Sequence, residues 1–158
     1  MARTKVFISY SHKDTEWKDR LVKQMAALQR RGLLEVWVDS QIKGGEDWYK
    51  LIHEAMLEAR VAVLLVSEHF LDSEFIQDVE IPRLMESHAS DGMKIYPVII
   101  WPCLWKFDEW LASKQIRPKD GEPLARGTEY EIKKELVEIT SEIFDIIRNA
   151  VPDSPAAV

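Results

Sequence analysis

A chain of 158 residues with 46% hydrophobic and 30% charged side chains can bury the core of one ordinary globular domain. A formal net charge of −6 and a pI near 5.3 leave no basic face for nucleic acid, since Arg30-Arg31 and Lys133-Lys134 are only pairs. The single cysteine, Cys103, excludes an internal disulfide and suits the reducing cytoplasm, and no apolar run is long enough to span a membrane.

The opening MARTKVFISY is too short and too polar for a signal peptide. Within it, Lys5 to Tyr10 is β-branched and aromatic and predicts a strand. Ser11 and Asp14 have the S-x-x-D spacing of a capping-box-like helix start. Trp17, Leu21, Met25 and Leu28 then recur at helical intervals until Gly32. Glu35 to Val38 predicts a second strand, and Asp39 to Asp47 (DSQIKGGED) a loop that two glycines free from the usual backbone limits. Trp48, Leu51, Ile52, Ala55, Met56 and Ala59 carry the clearest helical stripe. Val61 to Val66 is apolar without alternation, so this third strand is covered on both faces, as in a parallel sheet between helix layers.

Ser73 is a good N-cap for a helix holding Phe75, Ile76, Val79 and Glu80, with an interruption expected near Pro82. His88 to Lys94 is polar, contains Gly92 and predicts a turn. Ile95 to Trp101 predicts a fourth strand, in which Pro97 lacks a ladder donor. Cys103 to Ala112 predicts a short helix, and Gln115 to Arg117 a fifth, short edge strand. Thr128 and Glu131 form a capping box for a last helix along Ile132, Leu136, Ile139, Ile143 and Ile147. Strict alternation of strands and helices gives an α/β fold: a flavodoxin-like open parallel five-stranded sheet with helices on both faces. Residues 1–150 are expected to be one domain, and 151–158 a flexible tail or a linker to a domain absent from this chain.

Most familiar chemistry is missing. There is no G-x-G-x-x-G, no Walker A loop and no G-x-S-x-G elbow. His12, His53, His69 and His88 have no metal-ligand spacing, so no metal is expected. The first strand ends in Ser9-Tyr10-Ser11, without the paired acids of a response-regulator pocket. Cys103, after Pro102, is expected to be a free structural thiol. What remains is Glu80, beside an apolar helix face just after the third strand, where open α/β sheets bind ligands. On these residues alone an ordinary surface glutamate is the favoured reading, since Glu is mostly exposed.

Three segments together resemble a known family. Val6-Phe7-Ile8-Ser9-Tyr10-Ser11 with Asp14 is similar to the first-strand box of TIR (Toll/interleukin-1 receptor) domains. Val36-Trp37-Val38-Asp39, Ile42, Gly44-Gly45 and Trp48 resemble the second strand, the BB loop and the following helix. Leu65-Val66-Ser67, Phe70-Leu71, Ser73, Phe75-Ile76 and Glu80 resemble the third strand and the helix bearing the family's glutamate. Pro97 to Pro102 and Arg117 to Pro123 are similar to the bacterial branch, and the likeness covers roughly residues 4 to 150. The tryptophan and cysteine that many eukaryotic members carry before the glutamate are replaced by Phe75 and Ile76, with one residue more in between. Among Glu74, Asp78 and Glu80, the last is favoured because Ile81-Pro82 follow it as in the bacterial form.

The resemblance implies one of two functions. Some TIR domains hydrolyse NAD+ at the nicotinamide–ribose bond, yielding ADP-ribose or a cyclised form; others are scaffolds that assemble through the BB loop. In the first case NAD+ is substrate and no resident cofactor is implied. Glu80 is the implied catalytic residue, with Tyr10, Ser11, Asp39, Lys43, Trp48 and Phe75 as implied substrate-binding residues. Other TIR domains are the implied partners, by self-association through the Asp39–Asp47 loop, and the setting is prokaryotic defence. Cleavage builds positive charge on the sugar, as glycosidic cleavage does in general. Nicotinamide is already cationic in NAD+ and departs neutral, so no general acid is required and one carboxylate can suffice.

Overall fold

The computed structural model describes residues 4–38 and 48–149. Strands β1 (Lys5–Ser9), β2 (Glu35–Val38), β3 (Ala59–Val66) and β4 (Lys94–Ile99) pair in parallel in the order β2-β1-β3-β4. Between and after them run α1 (Thr15–Arg30), α2 (Trp48–Glu58), α3 (Glu68–Asp72), α4 (Ile81–Asp91), α5 (Glu109–Ala112) and α6 (Glu129–Arg148). The loop Asp39–Asp47, with Asp39 and Lys43, and the tail from 150 onward lie outside the described residues.

Side-chain alternation along the strands makes two core layers. Val6, Ile8, Val61, Val63, Leu65 and Val98 face Trp17, Leu21 and Met25 of α1 and Ile132, Leu136, Ile139 and Ile143 of α6. Phe7, Ala62, Leu64, Val66 and Ile99 face Ile52, Ala55 and Met56 of α2, Phe70 of α3 and Leu84 of α4. Every residue of β3 from Val61 to Val66 is buried, as its unbroken apolar run requires.

The expected fifth strand is reduced to a single parallel bridge between Arg117 and Val98. Arg117 N–H donates to the Pro97 carbonyl at 2.9 Å, and Ile99 N–H donates to the Arg117 carbonyl at 2.8 Å. The next ladder bond, toward Gln115, would need an N–H on Pro97, which proline lacks, so pairing stops there. The Arg117 side chain fastens this edge to α6. Its Nε donates to Glu142 Oε1 at 2.9 Å and its Nη2 to Oε2 at 2.9 Å, while Tyr96 Oη donates to Oε1 at 2.7 Å. The Arg117 guanidinium holds the Glu142 carboxyl below the ordinary carboxylate range.

Three helix boundaries differ from the sequence expectation. The segment 88–94 is not all turn: α4 continues through Asp91, and the chain reverses only at Gly92, whose φ of +70° suits glycine. The aromatic stretch 103–112 is split into a 3₁₀ turn, Trp105–Phe107, and the short α5, because the Asp108 side chain accepts from the N–H groups of Trp110 and Leu111 and starts a new helix. Pro82 does not break its helix. It stands at the first turn of α4, directly after the π-helical turn Ile76–Glu80, where Ile81 N–H donates to the Ile76 carbonyl five residues back. The wider turn accommodates a residue that can offer no bond to the carbonyl four positions earlier. The capping box at α6 forms as expected: Thr128 Oγ1 accepts from Glu131 N–H at 3.2 Å, and Thr128 N–H donates to Glu131 Oε1 at 2.9 Å.

Candidate active site at the ends of the central strands

The chain leaves β1 for β2 on one side and later returns to β3 on the other, so the strand order reverses between β1 and β3. Open α/β sheets form their binding crevice at the carboxyl ends of such a strand pair. The buried polar and charged residues among those described are Ser9, Asp14, Ser67, Glu80, Ser87 and Thr140. The first four gather at this point. Ser9 ends β1, Asp14 lies in the turn after it, Ser67 follows β3, and Glu80 closes the π-helical turn beyond α3. Burying polar groups is costly unless they are bonded, so their concentration at one end of an otherwise apolar sheet marks a built feature.

Local sequence explains how Glu80 gets there. Ser73 Oγ accepts from Ile76 N–H at 3.2 Å and so starts the helix, as its residue type predicts. Ile76, Ile81 and Leu84 then face the core layer of Phe7 and Leu64. The π turn carries one extra residue into its circuit and brings Glu80 onto that same buried side. Of the three acids in the stretch, Glu74 and Asp78 are exposed, whereas Glu80 is 0% exposed. Ser9 Oγ donates to Glu80 Oε1 at 3.4 Å, across 71 positions of sequence.

A second buried contact ties the two strand tips together. Ser67 Oγ donates to Asp14 Oδ2 and accepts from Phe70 N–H at 3.1 Å, so one hydroxyl caps α3 and joins it to the turn after β1. Asp14 therefore does not complete a capping box with Ser11, and its side chain makes no cap bond to α1. Ser11 Oγ alone caps the 3₁₀ turn His12–Asp14, accepting from Lys13 N–H at 3.3 Å.

The expected substrate-binding residues do not share one environment. Phe75 is half-buried against the same apolar layer as Ile76 and Leu84, on Glu80's side of the sheet. Tyr10 lies apart from Glu80. It is 2% exposed and packs in the opposite layer, with Val6 and Ile8, near the ring of His12 and under Lys18 Nζ at 5.5 Å. Strand parity is the reason: if Phe7 and Ser9 face Glu80, then Tyr10 faces away. Ser11 serves as the cap just described. Trp48 opens α2, but its side chain, like Asp39 and Lys43, lies outside the described residues. Sequence reasoning passed over Ser9 and Ser67 and read Asp14 only as a cap. The available signal was a serine two residues after Phe7, on the same strand parity, ending the apolar run Val6-Phe7-Ile8.

Cys103 follows β4 and is half-buried against the Phe7 layer. Burial pushes its thiol up, partly opposed by the Trp105 backbone, and the nearby acids Glu68 and Asp14 add smaller upward contributions. This is the setting of an inert structural thiol. A cleft of about 450 Å³ beside the start of α6 is lined by four acids, Asp120, Glu122, Glu131 and Glu135, against one cation, Arg126, and includes neither Glu80 nor Ser9. Its acidic wall repels a diphosphate.

A sequence model described as TIR domain matches residues 6–129. A protein of Sinorhizobium fredii carrying the name "Uncharacterized protein y4lF" is 36% identical over 121 residues, which is 77% of this chain and 37% of that protein. The chain thus spans little more than a third of that relative's length. The TIR domain of the Toll-related receptor TRR-2 from Hydra magnipapillata superposes with a TM-score of 0.58 at 15% identity, over 91% of this chain and 98% of that one. A TIR domain from the RPS4 and RRS1 heterodimer gives 0.57 at 16% identity, over 91% and 99%. The TIR domains of the activated Roq1 resistosome give 0.53 at 18%, over 98% and 93%.

Proposed function

The chain belongs to the TIR domain family, and from that premise we propose that it is an NAD+ glycohydrolase that gains activity on assembly and acts as an effector in prokaryotic defence, in the cytoplasm. The observation that carries this reading is Glu80: a wholly buried carboxylate, held by Ser9, at the point where the strand order reverses. Buried acids need a reason, and here it is charge stabilisation.

In the proposed reaction Glu80 accepts hydrogen bonds from the ribose hydroxyls and stabilises the cation that grows as nicotinamide leaves. Phe75 and Ile76 keep the surroundings dry, which strengthens that interaction by lowering the local dielectric. Water completes the reaction to ADP-ribose, or a ring nitrogen of the same substrate closes a cyclic product.

Glu80 is 0% exposed in the single chain, so a substrate reaches it only after its surroundings open. Assembly is the natural trigger, since the RPS4–RRS1 and Roq1 structures are of TIR domains in a heterodimer and in a resistosome. The same burial favours a second reading, a TIR–TIR interaction module without chemistry. Incubation with NAD+ from nanomolar to high-micromolar protein, with a crowding agent, separates them. Nicotinamide release per subunit is expected to rise about tenfold or more, the effect of ~1.4 kcal/mol on an opening equilibrium. Glu80→Ala should stay at background throughout. Equal release by that variant removes Glu80 from the mechanism, a flat rate removes the assembly requirement, and no release from either protein favours the scaffold.

A further inference from the structure

We propose that Ser9 is a positioning residue for the reaction assigned to Glu80, its hydroxyl fixing one carboxylate oxygen and thereby the direction of the other; this rests on the reading above. Ser9 is 0% exposed and shares its face of β1 with the buried Phe7. An apolar residue would fill that place without the cost of burying a hydroxyl. The hydroxyl is accommodated because it donates to Glu80 Oε1.

β1 is an inner strand, paired with β2 on one side and, past a register shift at Lys5/Val6, with β3 on the other, and Ser9 lies opposite Leu64. Glu80 closes a π-helical turn, a form found mostly as single turns at functional sites. The Ser9 hydroxyl thus approaches Glu80 from an inner strand of the sheet and contributes to the orientation of its carboxyl group. The 3.4 Å separation is long for an O–H···O bond, and such contacts commonly tighten only in the substrate complex. Ser9 touches no reacting atom in this account; it acts through Glu80.

The test compares wild type with Ser9→Ala and Ser9→Cys, assayed at the protein concentration where wild type is assembled. Cysteine nearly preserves shape but donates weakly. If the hydrogen bond is what matters, kcat falls about tenfold in both variants while KM stays within about twofold, because the loss is felt only in the transition state. If Ser9 merely fills space, Ser9→Cys behaves as wild type, and the proposal is overturned. A readout independent of turnover is the ¹³C resonance of the Glu80 side-chain carboxyl, assigned from its disappearance in Glu80→Gln. It is expected to move in both Ser9 variants, and an unmoved resonance also overturns the proposal. Should wild type release no nicotinamide under any condition, the enzymatic reading fails on its own, and the resonance still decides whether Ser9 holds Glu80.

Discussion

Glu80→Gln should abolish nicotinamide release, by at least about a hundredfold, while leaving the protein as stable as wild type or more so. Glutamine has the shape of glutamate, and its amide oxygen can still accept from Ser9 Oγ, the contact that spans 3.4 Å in the native chain. What it removes is an ionisable carboxyl group at a site with 0% exposure. Taking a charge out of water is costly, and replacing it with a neutral isostere of the same volume relieves that cost. A gain of about 1 kcal/mol corresponds to a Tm rise of roughly 2–4 °C for a domain of this size. Opposite effects on stability and turnover mark a residue kept for chemistry against the interest of the fold. Thermal melts and a nicotinamide assay on one preparation suffice. A variant that melts well below wild type but turns over normally would mean that Glu80 is structural.

The largest expected loss of stability is at Ser67. This hydroxyl is at once the N-cap of α3, accepting from Phe70 N–H at 3.1 Å, and the donor to the buried carboxylate of Asp14. Loss of an N-cap costs about 1 kcal/mol. Leaving a carboxylate that is 2% exposed without this donor adds about 2 kcal/mol. Ser67→Ala is therefore expected to melt roughly 6–12 °C below wild type. Asp14→Asn keeps an oxygen for the Ser67 hydroxyl and should lose less than half as much. Because the two side chains form one unit, the double variant Asp14→Ala/Ser67→Ala should be milder than the sum of its singles by about 1 kcal/mol or more. Strictly additive losses would show that the two residues act independently. The contact joins the turn after β1 to the start of α3, the helix that precedes the segment carrying Glu80.

The architecture was legible because its signals are local and repeated. β2 occupies residues 35–38 as its four-residue run predicts, and the unalternating apolar run in β3 announced a sheet covered on both faces. The capping residues Ser73 and Thr128 bond as their types predict. What was less legible depends on where one element stops relative to another. The resemblance implied Tyr10 as a substrate-binding residue, but strand parity puts Ser9, not Tyr10, on Glu80's side, in a strand paired with β3 55 residues further along (Ser9 with Leu64). Asp14 looked like a helix cap because Ser11 is three residues before it; its carboxylate instead crosses to Ser67, a partner that only the fold supplies. Pro82 predicted an interruption, and a π turn absorbed it. Pro97 was read correctly as a missing donor, but its consequence, the shortening of a fifth strand to one bridge, appears only once Arg117 lies beside it. The choice of Glu80 over Glu74 and Asp78 rested on resemblance; in the structure Glu80 is buried and the other two are exposed, a difference the sequence alone did not display.

The measurement closest to the central claim is the structure of assembled Glu80→Gln protein with uncleaved NAD+ bound. The nicotinamide ribose is predicted to lie with a hydroxyl within hydrogen-bond reach of the residue 80 side chain, about 2.6–3.2 Å, on the Phe7 and Ser9 face of the sheet. A dinucleotide seated on the Tyr10 face, or one whose ribose points away from residue 80, would contradict the assignment.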